Sequence, residues 1–71
     1  MIDFNRPWTT RGGAEVKIYA RYEEGMYPIH GACKNDNGIW IVTSWTKEGY
    51  QIYSDSPINS EFDLVNVGDG L

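Results

Sequence analysis

The sequence predicts an all-β fold, a small five-stranded antiparallel meander curled into a half-open, SH3-like barrel. Three observations lead there. Apolar residues do not recur at helical spacing over any helix-length window. Glycine, proline and Asn-Gly interrupt the chain at short intervals, as turns between short strands require. The stretches between them either alternate apolar and polar or are rich in β-branched and aromatic residues. At 71 residues the chain reads as one domain, 1–71, near the lower size limit for folding alone. The single cysteine excludes an internal disulfide, and with the single histidine it cannot close a tetrahedral zinc site. Aromatic packing remains: three tryptophans, five tyrosines and two phenylalanines, each able to bury about 150–250 Å².

Each element follows from its own residues. Pro7-Trp8-Thr9-Thr10 reads as a short extended lead-in, and Gly12-Gly13 as a tight turn. Residues 14–21 alternate: Val16, Ile18 and Ala20 face one side, Lys17, Tyr19 and Arg21 the other, which predicts a half-buried strand. A strand over 27–33 has Pro28 near its start, where a missing N–H matters least. Lys34-Asn35-Asp36-Asn37-Gly38 is a strong turn. Residues 39–46 form the clearest strand, apolar in places on both faces and therefore expected to be central. Lys47-Glu48-Gly49 turns the chain into a strand over 50–53, a loop carries 54–60, and a last strand is expected over 62–67.

Charge narrows the function classes. The net charge is −4, unevenly spread. Residues 1–22 carry four basic side chains against two acidic ones, whereas 48–71 carry five acids and no base. Such a chain is a poor ligand for duplex DNA, where affinity comes from neutralising phosphates. No apolar run approaches membrane-spanning length. The lone cysteine and an N-terminus without a basic-then-apolar leader predict a cytoplasmic protein.

No constellation suggests catalysis. His30 and Cys33 are the one conceivable dyad, but positions three apart on a strand face opposite sides. Gly12-Gly13 lacks the Lys-Ser/Thr of a phosphate loop. The chain is therefore expected to bind rather than catalyse, with no cofactor and no metal. Two surfaces are candidates. One is basic and aromatic: Lys17, Tyr19 and Arg21, with Trp8, Arg11 and Tyr27 as further contacts. The other is the acidic stretch 48–69, in which Glu61 and Asp63 share a strand face.

Several segments together resemble a known group. Pro7-Trp8-Thr9-Thr10-Arg11-Gly12-Gly13, Val16-Lys17-Ile18-Tyr19, Tyr27-Pro28-Ile29-His30-Gly31, Trp45-Thr46-Lys47-Glu48-Gly49-Tyr50 and Asp63-Leu64-Val65 occur in that order. Over residues 7–66 they resemble small β proteins encoded by phages and prophages. The resemblance implies an accessory protein of the bacterial host cytoplasm and transfers no catalytic residue. The leading expectation is a protein that binds and modulates a host protein, such as a defence or nucleic-acid-processing factor. A module for a small ligand or single-stranded nucleic acid, and a self-associating homo-oligomeric subunit, are the alternatives.

Overall fold

The computed structural model describes residues 2–52 and 59–69. These contain five strands and no helix: β1 (Trp8–Thr10), β2 (Val16–Arg21), β3 (Ile29–Lys34), β4 (Trp40–Trp45) and β5 (Leu64–Asn66). All pairings are antiparallel. The strands divide between two sheets, β1-β5 and β2-β3-β4, so only the second is a meander.

The three-stranded sheet is set by its turns. Asn35 Oδ1 accepts from the N–H groups of Asn37 and Ile39, at 3.0 and 2.9 Å, and pins the β3–β4 hairpin. That turn fixes the register Lys34↔Trp40 through Ile29↔Trp45. Gly31, on the central strand, has no room for a side chain: a Cβ there would collide with the Lys17 carbonyl oxygen. After β4, the Thr46 N–H donates to the Tyr50 carbonyl and the Tyr50 N–H to Thr46 Oγ1. Gly49 takes a φ of 96° in this turn, and a Cβ on it would meet the Leu64 carbonyl oxygen.

Three expectations are corrected. Tyr50, Gln51 and Ile52 are not in a strand, and residue 53 lies outside the described residues, as does most of the loop expected over 54–60. The Gln51 N–H is taken by Asp63 Oδ1 at 2.9 Å and so does not enter a ladder. Among the described residues β4 is an edge strand and β3 the central one; the apolar residues on both faces of β4 reflect exposure, with Val42 81% accessible. The alternation of β2 also breaks. A bulge between Ile18 and Ala20 shifts the register, so that Ala20 pairs with His30 and Arg21 with Ile29. An inserted residue reverses the faces beyond it. Arg21 therefore leaves the side of Lys17 and lies over the Phe4 ring, 4.4 Å from its centroid.

The core sits between the sheets. Ile2, Ile29, Trp45 and Leu64 form its buried cluster, with Phe4, Trp8, Val16 and Ile18 packed against it. Trp45 is fully buried, and its indole N–H donates to the Phe62 carbonyl at 2.8 Å. Two polar side chains tie the ends together. Asn66 accepts from the Asp3 N–H and donates to the carbonyls of Asp3 and Pro7. Asp63 is 1% exposed. Its carboxylate accepts from the Gln51 and Ser60 N–H groups at 2.9 and 2.8 Å and stands 3.4 Å from Arg11 Nε.

Removing that carboxylate leaves the part-buried Gln51 and Ser60 N–H groups without their acceptor and takes the counter-charge from Arg11. Asp63→Ala is expected to cost about 3–5 kcal/mol, the range for breaking a buried pair. Glu61→Ala, at an exposed side chain, should stay within about 0.5 kcal/mol. Urea unfolding followed by tryptophan fluorescence measures both; equal effects would remove Asp63 from this role.

Candidate functional site

The outer face of the β2-β3-β4 sheet carries the exposed chemistry of the chain. Residues paired across antiparallel strands share a face. The pairs Lys17↔Ala32, Ala32↔Val42, Lys34↔Trp40 and His30↔Ser44 therefore place these side chains together, opposite the side of Ile29 and Trp45. Trp40 is half-buried beneath two cations: Lys17 Nζ is 4.6 Å and Lys34 Nζ 5.6 Å from its ring centroid. Cation–π contacts of this kind contribute about 0.5–1 kcal/mol each at exposed sites. Neither lysine is paired with a carboxylate among the described residues. Tyr22 stacks edge-on against His30 at 5.1 Å, and the His30 Nε2–H donates to the Tyr27 carbonyl at 2.8 Å. Val42, Tyr19 and Tyr22 stay largely uncovered, at 81%, 63% and 59% exposure.

The residues expected to bind are not gathered at one place. Lys17 and Tyr19 are exposed on β2, with Tyr19 at the bulge, whereas Arg21 is drawn to Phe4. Trp8 is half-buried and meets Phe4 edge-on at 5.6 Å, as part of the core margin. Tyr27 is half-buried beside the start of β3. Arg11 is held at the Asp63 carboxylate. Glu61 is exposed, but it precedes β5 in a turn and does not share a face with the buried Asp63. The acidic stretch thus loses Asp63 to the interior, and Asp69 pairs with Arg6 at 3.0 Å. That pairing raises the Arg6 pKa further above its ordinary value.

Sequence reasoning passed over Lys34, Trp40 and Val42. The signal was present in the Asn35–Gly38 turn. With residues 36–38 as the loop and Asn35 opposite Ile39, equal steps outward pair Lys34 with Trp40, and strand parity then puts Val42 on the same face.

His30 and Cys33 are separated as strand parity requires, His30 exposed and Cys33 4% accessible. No group of three or more histidine, cysteine, aspartate or glutamate side chains among the described residues is placed to hold a metal ion. Cys33 borders a groove of about 330 Å³ together with Ile41, Val42, Thr43, Gln51 and Phe62. A second groove, of about 430 Å³, lies between Ile2, Phe4, Tyr22, Pro28, Ile29 and Lys47. No known protein family, curated protein or solved structure matches the chain.

Burial pushes the Cys33 thiol above its ordinary pKa of 9.0. The folded state thus holds this proton more tightly than the unfolded chain. Its contribution to stability is complete below the ordinary thiol pKa and fades as pH rises through the raised one. Since the thiolate is the nucleophile, a disulfide reagent at pH 8 should modify native Cys33 at least about tenfold more slowly than the urea-unfolded chain. Comparable rates would contradict this placement.

Proposed function

We propose that the chain is a non-enzymatic binding protein, supplied by a phage or prophage, that engages a protein of the bacterial cytoplasm through the outer face of the β2-β3-β4 sheet. The observation that carries this reading is the exposure of Val42 on the sheet face of Trp40, with Tyr22 against His30 on that face and Tyr19 exposed at the β2 bulge. Contiguous exposed apolar and aromatic side chains mark interaction surfaces, and tyrosine and tryptophan are enriched among the residues that dominate binding energy. The lone cysteine, kept as a buried thiol, supports a reducing compartment. The opposed placement of His30 and Cys33 supports a role without nucleophilic chemistry.

The two sheets are best read as the halves of a half-open, SH3-like barrel. Supporting this are hydrogen bonds that bring the chain around β5 to the larger sheet. The Leu64 N–H donates to the Gly49 carbonyl at 2.7 Å, and the Gln51 N–H to Asp63 Oδ1 at 2.9 Å, both tying the β5 end to the turn after β4.

A second reading, single-stranded nucleic acid, is favoured by one feature, the lysines over Trp40. Binding proteins for single strands combine aromatic platforms with cations along the backbone path. The net charge of −4 opposes it.

Quantitative capture from host lysate separates the readings. Tyr19→Ala with Val42→Asp should lower recovery of a specific protein at least about tenfold, the loss expected when interface anchors are removed; Glu61→Lys should leave it unchanged. A labelled oligothymidine at low salt should give no anisotropy change. A shift abolished by Lys17→Gln with Lys34→Gln would instead establish the nucleic-acid reading, and recovery unaffected by the first pair would sink the protein reading.

A further inference from the structure

The two edges of the three-stranded sheet are built differently. β2 carries Lys17 and Arg21 and is broken by a bulge. Charges and bulges are the devices by which proteins blunt an exposed edge against stray pairing. β4, Trp-Ile-Val-Thr-Ser-Trp, has no charge, no proline and no bulge.

The hydrogen-bond parity of β4 can be worked out. The Asn35 N–H donates to the Ile39 carbonyl, which makes this the bonded kind of pair in the β3–β4 ladder. By alternation, Cys33/Ile41, Gly31/Thr43 and Ile29/Trp45 are bonded as well. The Lys34 N–H accordingly turns the other way, to the Glu15 carbonyl beside β2. The backbone groups of Trp40, Val42 and Ser44 therefore point away from β3. Thr46 has the same parity, and its N–H is taken by the Tyr50 carbonyl. Among the described residues no strand pairs with the remaining three.

The two sides of this edge differ in chemistry. On the outer side, Lys17 and Lys34 converge over Trp40 with no carboxylate partner among the described residues. On the other side lie Ile39 and Ile41, both about half exposed, and the groove bordered by Cys33, Ile41, Thr43 and Phe62.

We propose that the edge of β4 at Trp40, Val42 and Ser44 receives an extended segment of a partner protein as a fourth strand, one in which acidic side chains alternate with apolar ones. The inference rests on the protein-binding reading above and deepens it. Main-chain hydrogen bonds to the three outward residues hold the segment, as in β-strand addition generally. Its acidic side chains meet Lys17 and Lys34 beside Trp40. Its apolar side chains, pointing to the opposite face, cover Ile39 and Ile41. Neither a neutral strand nor a basic one satisfies both sides.

The test uses the intact chain and a defined probe, the capped heptapeptide Val-Glu-Val-Glu-Val-Glu-Val. In two-dimensional NMR, its addition should shift the amide resonances of Trp40, Val42 and Ser44 most and slow their hydrogen exchange. The Val-Lys counterpart, and a Val-Glu peptide N-methylated at alternate residues so that its ladder donors are lost, should each bind at least tenfold more weakly. Val42→Pro removes an outward donor and leaves the β3 ladder intact, so it should abolish binding. Should that variant not fold, the N-methylated peptide decides. Lys17→Glu with Lys34→Glu should reverse the preference between the two peptides. Shifts centred elsewhere, or equal affinity for the Val-Lys or N-methylated peptide, would overturn the proposal. So would a dimer of the chain alone, seen by sedimentation and lost in Val42→Pro, because the occupant would then be a second copy. Capture from lysate keeps the two readings apart. A host protein still retained by Val42→Pro but lost with Tyr19→Ala leaves the protein-binding reading standing and removes the edge from it.

Discussion

The Asp63 carboxylate is the constraint on which the rest of the structure depends. It gathers the Gln51 N–H, the Ser60 N–H and the Arg11 guanidinium at one buried point, while its backbone bonds the Arg11 N–H. Those groups come from the end of β1, the segment after β4 and the approach to β5. A chain of 71 residues has little apolar area with which to hold segments so distant in sequence. Charge-assisted hydrogen bonds are roughly twice as strong as neutral ones, and once buried they specify a single geometry. With Asp63 in place, Leu64 enters the core cluster and Trp45 meets the Phe62 carbonyl. Asn66 does the same for the other end of β5, clasping the backbone at Asp3 and Pro7.

These polar ties change the meaning of the charge asymmetry. The basic first third and the acidic last third look like two surfaces, one for an anionic partner and one for a cationic one. Pairing β1 with β5 brings the two ends together instead. Arg11 meets Asp63, and Arg6 meets Asp69. Much of the asymmetry is therefore spent inside the molecule. Among the described residues, the two lysines on the outer sheet face, Lys17 and Lys34, have an aromatic ring as their contact and no carboxylate partner. A chain of net negative charge thus has a local basic site there, defined by an aromatic residue.

Local pattern was readable where local chemistry decides the outcome. The alternation of residues 16–18 and the Asn35–Gly38 turn follow from residues close in sequence. The last strand was legible in part, and residues 7–10 were read as an extended lead-in, which the structure pairs as β1. What escaped depends on contacts between distant residues. Nothing near Tyr19 announces the bulge, beyond which Arg21 lies over Phe4 and Tyr22 against His30. Nothing near Asp63 marks it as interior, since its partners lie at residues 11, 51 and 60. The strand expected over 50–53 has good β-forming residues, but the side chain of Asp63 competes for the Gln51 N–H that a ladder would need. The candidate surface was half legible: Lys17 and Tyr19 were identified from β2, but Lys34, Trp40 and Val42 required the hairpin register as well.

The contrast between β2 and β4 links fold to function. Both are edges of one sheet and both face solvent on part of their length. An edge left plain is a hazard for a small protein, because its free N–H and C=O groups template pairing with other chains. Had the only requirement been a stable monomer, a charge or proline in β4 would have removed the hazard at little loss of stability. Trp40, Val42 and Ser44 keep the edge open. The lysines above Trp40 restrict it in another way, by making it unfavourable for a strand that brings cations to that side. For the strand addition proposed above, selectivity resides in the face flanking the edge, and affinity in the backbone of the edge itself. That division is available to a sheet of three strands, and Ile39, Ile41 and Val42 are the exposed apolar side chains that flank the edge.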